Sequence, residues 1–334
     1  MSQESDPSPG LRKSLGMGLG AGFLGAIALA IRFGWRKTLR GIIPDTISPA
    51  VFSTRVAETM IGEIVYHTAD TPVPKPQLLF LHGVFPGASS YEWSRVYPRF
   101  ADSWRVLVPD MIGFGESQRP RPAATAEEQV RSLAEFLDFT SPGEAFSIVA
   151  SGLSSNIALL FASRYPEKTL RLVLWMPDIA LGKACPSRGW HRLSWFPKLA
   201  RMVYRHQLST ESFLRPWLLR SGFVTEGPPV EECLSVILST AQQYGAEHAF
   251  LAMTSKSYWR GLRTGLKNLA CPVSVLLAEG SGADSSAAIA DLRPLVNRFA
   301  IVETPARGAL ASLAEPELIA SSIDRELLSQ TTAM

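Results

Sequence analysis

Cysteine is scarce, and it is placed badly for chemistry. The three cysteines, Cys185, Cys233 and Cys271, lie far apart. With no CxxC and no metal-ligand spacing they offer neither a zinc site nor a redox dithiol, and they read as small buried apolar residues. Histidine numbers only five, and none follows His248. The last quarter of the chain therefore has no imidazole base. No basic patch is interleaved with aromatics, and the formal net charge is only +3, so nucleic acid is not expected as a partner. No internal repeat or low-complexity tract appears, and nothing points to a metal or a cofactor.

Apolar residues make up 46 % of 334 positions, enough to bury a large core. That suits one large α/β domain with an insertion better than two independent domains. Residues 1–14 are polar, carry Pro7, Pro9 and Gly10, and read as disordered. Residues 15–31 then run without a charge. As a helix, a stretch of that length covers roughly 26 Å, near the short limit for spanning a bilayer. Arg32, Arg36, Lys37 and Arg40 follow, with Phe33 and Trp35 as interfacial aromatics. Residues 15–40 therefore read as a transmembrane or anchor helix with a basic flank. The charge asymmetry places the C-terminal domain on the cytoplasmic side of a membrane. Ala28-Leu29-Ala30 leaves a cleaved signal peptide as the alternative. Gly20-x-Gly22-x-x-Gly25 matches a dinucleotide fingerprint by letter, but no strand precedes it.

From there the hydrophobic pattern predicts strands at Phe52–Glu58, Glu63–Thr68, Gln77–Leu81, Arg105–Val108, Phe146–Ala150, Leu170–Trp175, Val273–Leu277 and Arg298–Val302. Helices are expected at Tyr91–Ala101, Ala126–Phe139, after Leu153, at Ser286–Val296 and at Pro316–Leu328. The alternation implies a mostly parallel, doubly wound sheet. Residues 179–268 break it. Aromatics such as Trp217, Tyr204, Phe250 and Trp259 sit there in helix-like segments, as in a helical cap inserted into the sheet domain. The core is thus expected in two parts, 45–178 and 269–334. Ligands in such sheets bind beyond the carboxyl ends of the strands.

Several motifs lie at that edge. They are Leu81-His82-Gly83, Trp93, Pro109-Asp110-x-x-Gly113-x-Gly115-x-Ser117, the strand–turn–helix Phe146–Tyr165, Tyr165-Pro166-Glu167, and Leu313-x-Glu315-Pro316-Glu317. Together they resemble the α/β-hydrolase superfamily, in its capped esterase, epoxide hydrolase and haloalkane dehalogenase branch. The resemblance covers about residues 50–330 and implies the α/β-hydrolase fold. It also implies a nucleophile on a strand-to-helix elbow, a histidine base and an orienting carboxylate.

Carried over position by position, the elbow reads Ala150-Ser151-Gly152-Leu153-Ser154, with Gly152 in the nucleophile slot. Ala309 falls in the histidine slot. Ser281 falls in the acid slot, with Asp284 three residues on. An elbow residue adopts φ > 0, which glycine takes freely. The resemblance further implies oxyanion-type backbone donors at Val84 or Phe85 and at Leu153. Three readings follow. The first is a non-catalytic member, binding an apolar or acyl-like small molecule or a partner protein. The second is an active ester or lipid hydrolase whose machinery has moved to Ser151 or Ser154 with His82 and Asp178. The third is a fold used as an interaction scaffold.

Overall fold

Gln77–Leu81 (β3) and Phe146–Ser151 (β5) are buried at every position. They lie side by side in the middle of an eight-stranded sheet. Strands covered on both faces can be apolar on both, which is why residues 78–81 and 148–150 read as hydrophobic runs. The computed structural model describes residues 52–69, 73–180, 196–223, 227–266, 269–281, 289, 292–296 and 298–328. The apolar run 15–31, Cys185, His191 and Asp284 lie outside them. Among the described residues, no helix is long and apolar enough to cross a membrane. Cys233 and Cys271 are buried free thiols.

The other strands are Ser53–Glu58 (β1), Glu63–Thr68 (β2), Arg105–Pro109 (β4), Thr169–Trp175 (β6), Val273–Leu277 (β7) and Phe299–Glu303 (β8). The sheet order is β1-β2-β4-β3-β5-β6-β7-β8. β2 runs antiparallel to β1 and β4, and the remaining pairs are parallel. Leu81 pairs with Ala150, and Ser151 with Trp175. This register brings His82, Gly152 and Met176 to one edge. Ala126–Thr140 (α1) and Ser154–Arg164 (α2) connect strands of the core. Thr125 caps α1 in a reciprocal box with Glu128.

Between β6 and β7 the described elements are all helical: Pro197–Val203 (α3), Glu211–Arg220 (α4), Pro228–Ala241 (α5), Ala246–Met253 (α6) and the short Leu262–Gly265 (α7). A single π-type turn, Tyr204–Leu208, continues α3. Ala311–Ala314 (α8) and Pro316–Leu328 (α9) close the chain. The Tyr91–Ala101 stretch differs from its expected continuous helix. It forms two 3₁₀ turns, Ser90–Trp93 and Tyr97–Phe100. Pro98 has no N–H to continue the ladder. Trp93 is pinned separately, its indole N–H donating to the Leu81 carbonyl at 3.1 Å. The expected helix at Ser286–Val296 lies largely outside the described residues.

The cap and the loop before α8 meet backbone to backbone. The Leu310 N–H donates to the Ser221 carbonyl at 2.7 Å. Gly308 has φ +76°, and a methyl group there would lie 2.5 Å from the Ser221 carbonyl. Only a residue without Cβ fits this approach.

Candidate active site at the carboxyl edge of the sheet

β5 ends at Ser151, and the chain reverses at Gly152 with φ +51°. The turn is held from both sides. The Gly152 N–H donates to the Trp175 carbonyl at 3.1 Å, and its carbonyl accepts from the Asp178 N–H at 3.0 Å. A methyl group on Gly152 would point into open space, its nearest neighbour being Gly83 Cα at 4.0 Å. The backbone thus presents position 152 to the site as a strand-to-helix elbow does, but nothing projects from it. Beside it, the N–H groups of Val84, Phe85 and Leu153 have no hydrogen-bond acceptor among the described residues.

The flanking serines point elsewhere. Ser151, buried, donates its hydroxyl to Glu92 Oε1 at 2.5 Å. Ser154 is fully buried, and its Oγ has no hydrogen-bond partner among the described residues. Glu92 was not singled out from the sequence, yet it joins the two halves of this edge. Its other oxygen accepts the Gly83 N–H at 2.5 Å. No cation balances it, and burial pushes its pKa up to about 7 against the pull of those two donors. A lone acid between Tyr91 and Trp93 gives little warning of this role, because its partner Ser151 is 59 positions away.

His82 is also fully committed. Its Nδ1 lies 2.8 Å from the Gly83 carbonyl, and its Nε2 accepts the Met111 N–H at 3.1 Å. Those partners put the proton on Nδ1. Burial holds the imidazole pKa below its usual range, with the Asp110 charge opposing only in part. Asp110 accepts the N–H groups of Ser90 and Glu116 at 2.6 and 2.7 Å, fixing the Met111–Ser117 loop.

Ala309 is exposed. Its carbonyl accepts the Trp175 indole N–H at 2.8 Å, so the end of β6 and the loop before α8 are tied together. Ser281 donates to the Ala278 carbonyl at 2.7 Å. Asp178 follows β6, and burial alone pushes its carboxyl up to about 7. No hydrogen bond to that carboxyl is formed among the described residues. Met176, between Trp175 and Asp178, has φ +41°. Such a backbone costs a non-glycine residue on the order of 1–3 kcal/mol, and the Met176 sulfur accepts the Ala278 N–H at 3.1 Å.

The space next to the donor loop is small. A cavity of about 10 Å³ lies between Phe85, Gly87, Phe114, Tyr204 and Ala246, the size of a single water. Phe85 packs on Trp217 of the cap with ring centroids 5.2 Å apart. Among the described residues, no cluster of His, Cys, Asp and Glu could hold a metal ion.

Known proteins share this architecture. A 2-hydroxymuconate semialdehyde hydrolase from Pseudomonas sp. (strain CF600) is 38 % identical over 99 residues, covering 29 % of this chain and 35 % of that protein. A haloalkane dehalogenase from Mesorhizobium japonicum is 34 % identical over 97 residues, 29 % of this chain and 30 % of that protein. The chain thus spans about a third of the length of these relatives. Among solved structures, a bacterial membrane phospholipase A superposes with a TM-score of 0.65 at 21 % identity, over 92 % of this chain and 91 % of that one. A haloalkane dehalogenase from Bradyrhizobium elkani gives 0.65 at 17 % identity, over 85 % and 100 %. At such identities these likenesses speak for the fold alone. The alternating strands, the turn at Gly152 and the helical insertion agree with a family match over residues 76–268, and the chain belongs to the α/β-hydrolase fold family.

Proposed function

We propose that this chain is a non-hydrolytic member of its family, one that keeps the oxyanion-type donors and uses them to hold a carbonyl or carboxylate oxygen of an acyl-like ligand. The observation that carries the reading is the elbow itself. Gly152 has the backbone of a nucleophile position and open space before it, but no side chain. Attack needs an activated oxygen, sulfur or carboxylate at that point. The base is missing in parallel: Ala309 has no ring nitrogen, and both nitrogens of His82 are engaged within the fold. An oxyanion hole without its triad retains at most roughly 10³–10⁴-fold over water. With no attacking group, the three N–H donors act as a binding site. Asp178, its carboxyl shifted to about 7, adds a proton donor on the same edge at neutral pH.

Residues 15–31 belong to the same proposal, as the segment that holds the protein at a membrane with its C-terminal domain on the cytoplasmic side. The uncharged run and the Arg32–Arg40 flank support it. The scaffold reading has one observation in its favour: Phe85 of the donor loop packs on Trp217 of the cap. A hydrolase with displaced machinery has less. Ser151 is turned toward Glu92, and Ser154 is fully buried.

Fluorophosphonate labelling of the full chain, read by intact mass and peptide mapping, tests the proposal. No adduct is expected while an active esterase labels in parallel. A stoichiometric adduct on Ser151 or Ser154 would establish an activated serine and overturn it. Native mass spectrometry of the purified chain then separates the two surviving readings. A co-purified carboxylic acid or ester supports ligand binding, and a clean apo mass favours the scaffold.

A further inference from the structure

Away from the elbow, the cap carries a second feature. A groove of about 460 Å³ runs along its outer side between α3 and α6, floored by Ala200, Leu251 and Ala252. Two large apolar side chains close in sequence to its lining residues Pro197 and His248 stand exposed. Phe196, immediately before α3, is 61 % exposed, and Tyr244, just before α6, is 77 % exposed. Tyr244 belongs to the same neighbourhood through Gly245. A methyl group on Gly245 would lie 3.5 Å from His248, which lines the groove, and 3.7 Å from Arg121.

The exposed charges on the α3 side of the groove and at Lys256 are cationic. Lys198, Arg201 and Lys256 are exposed and form no ion pair among the described residues. Arg121 lies over the Tyr244 ring at 4.5 Å. Of the carboxylates near the groove, Glu247 is buried and already paired with Arg205, and Glu128, near Tyr258, is held in the capping box with Thr125. The convergence of cations is felt by His248. Burial lowers its pKa most, Glu247 opposes that, and Arg121, Arg201 and Arg205 each lower it further.

Exposed aromatics, long cationic side chains and a shallow apolar groove on one face suit one kind of surface. Phe and Tyr rings settle at the level of lipid headgroups, and Lys and Arg reach from apolar stems toward phosphates. A protein partner of matching size would have to supply a separate carboxylate for each cation, whereas an anionic bilayer supplies them at any register.

We propose that this face of the cap, bounded by Phe196, Tyr244, Arg121, Lys198, Arg201 and Lys256, docks on an anionic lipid surface. The docking does not rest on the reading of the elbow, since it uses none of the residues there. Near a surface rich in acidic lipids each cation contributes roughly fivefold in affinity, and salt weakens the effect. Three cations together contribute roughly a hundredfold.

The test uses the full chain reconstituted into vesicles of phosphatidylcholine alone or mixed with phosphatidylglycerol. Amide hydrogen exchange is followed in peptides spanning 196–203 and 244–260. Slower exchange in those peptides is expected with phosphatidylglycerol and not without it. The triple variant Lys198→Gln/Arg201→Gln/Lys256→Gln should lose the protection. A variant that removes equal charge elsewhere, Arg293→Gln/Arg298→Gln/Arg325→Gln, should keep it. Unchanged exchange in both vesicle types would overturn the proposal. So would equal protection on neutral lipid that survives the triple variant. Protection that follows protein density rather than lipid charge would assign the face to a second copy of the chain, and would overturn it as well.

Discussion

The two ends of the expected catalytic arrangement differ in how the structure holds them. At the elbow, the backbone is intact and the space in front of Gly152 is open; only the side chain is missing. At the loop before α8, the flanking backbone is clamped while the Ala309 side chain stays exposed. Ser221 and Gly222 of the cap press against Gly308 and Leu310, and the Trp175 indole holds the Ala309 carbonyl. The first region has room for a side chain. The second is held by its flanking backbone, tied to the cap and to β6.

The largest expected effect breaks the link between the regions. Trp175 is fully buried, and Trp175→Ala removes both its packing and the anchor on Ala309. A loss of about 3–5 kcal/mol is expected in denaturant unfolding. A loss below about 1 kcal/mol would mean that the two regions are independent.

Next comes the pH dependence set by Glu92. Its folded-state pKa is near 7 against an ordinary 4.5. Between those values the folded protein keeps a proton that the unfolded chain has released. Stability from this group is therefore full below about 4.5 and falls as pH rises through 7, by on the order of 3 kcal/mol. Asp178 contributes with the same sign. Glu92→Gln imitates the protonated acid and should flatten the slope in urea titrations across pH 5–8. An unchanged slope would remove Glu92 as its source.

Glycine substitutions then sharpen the contrast directly. Gly308→Ala forces a methyl into the Ser221 carbonyl at positive φ, for about 1–3 kcal/mol and a looser cap. Gly152→Ala meets only the backbone term, about 1 kcal/mol. Thermal melts in which Gly152→Ala is the more damaging of the two would reverse the assignment of which region is vacant. Smallest of all, Gly152→Ser alone should give no detectable ester hydrolysis above background, because it restores an oxygen without a base. Turnover of a p-nitrophenyl ester by that single variant would show that a base is already present.

The core of the fold was legible from the sequence because its central strands are apolar on both faces and its helices are not. The expected strands at Gln77–Leu81 and Val273–Leu277 agree residue for residue, and α9 has the expected limits Pro316–Leu328. The elbow was legible because a Gly between a buried strand and a helix has a local cause. What stayed hidden depends on distant neighbours. Glu92 meets Ser151 across 59 positions, and the clamp between Ser221 and Leu310 joins the cap to the last tenth of the chain. The 3₁₀ break at Pro98 was visible as a letter, but its consequence depended on Trp93 being held by β3.

The cavity beside Phe85 has a consequence in time rather than in energy. As it stands the cavity holds one water and no acyl group, and Phe85 at its wall rests on Trp217. On the proposed acyl-binding reading, entry beside Phe85 waits for that ring to leave Trp217. At low concentration the association rate should climb with ligand, then level off at the rate of that separation. The plateau would be the same for long and short acyl chains, because it belongs to the protein.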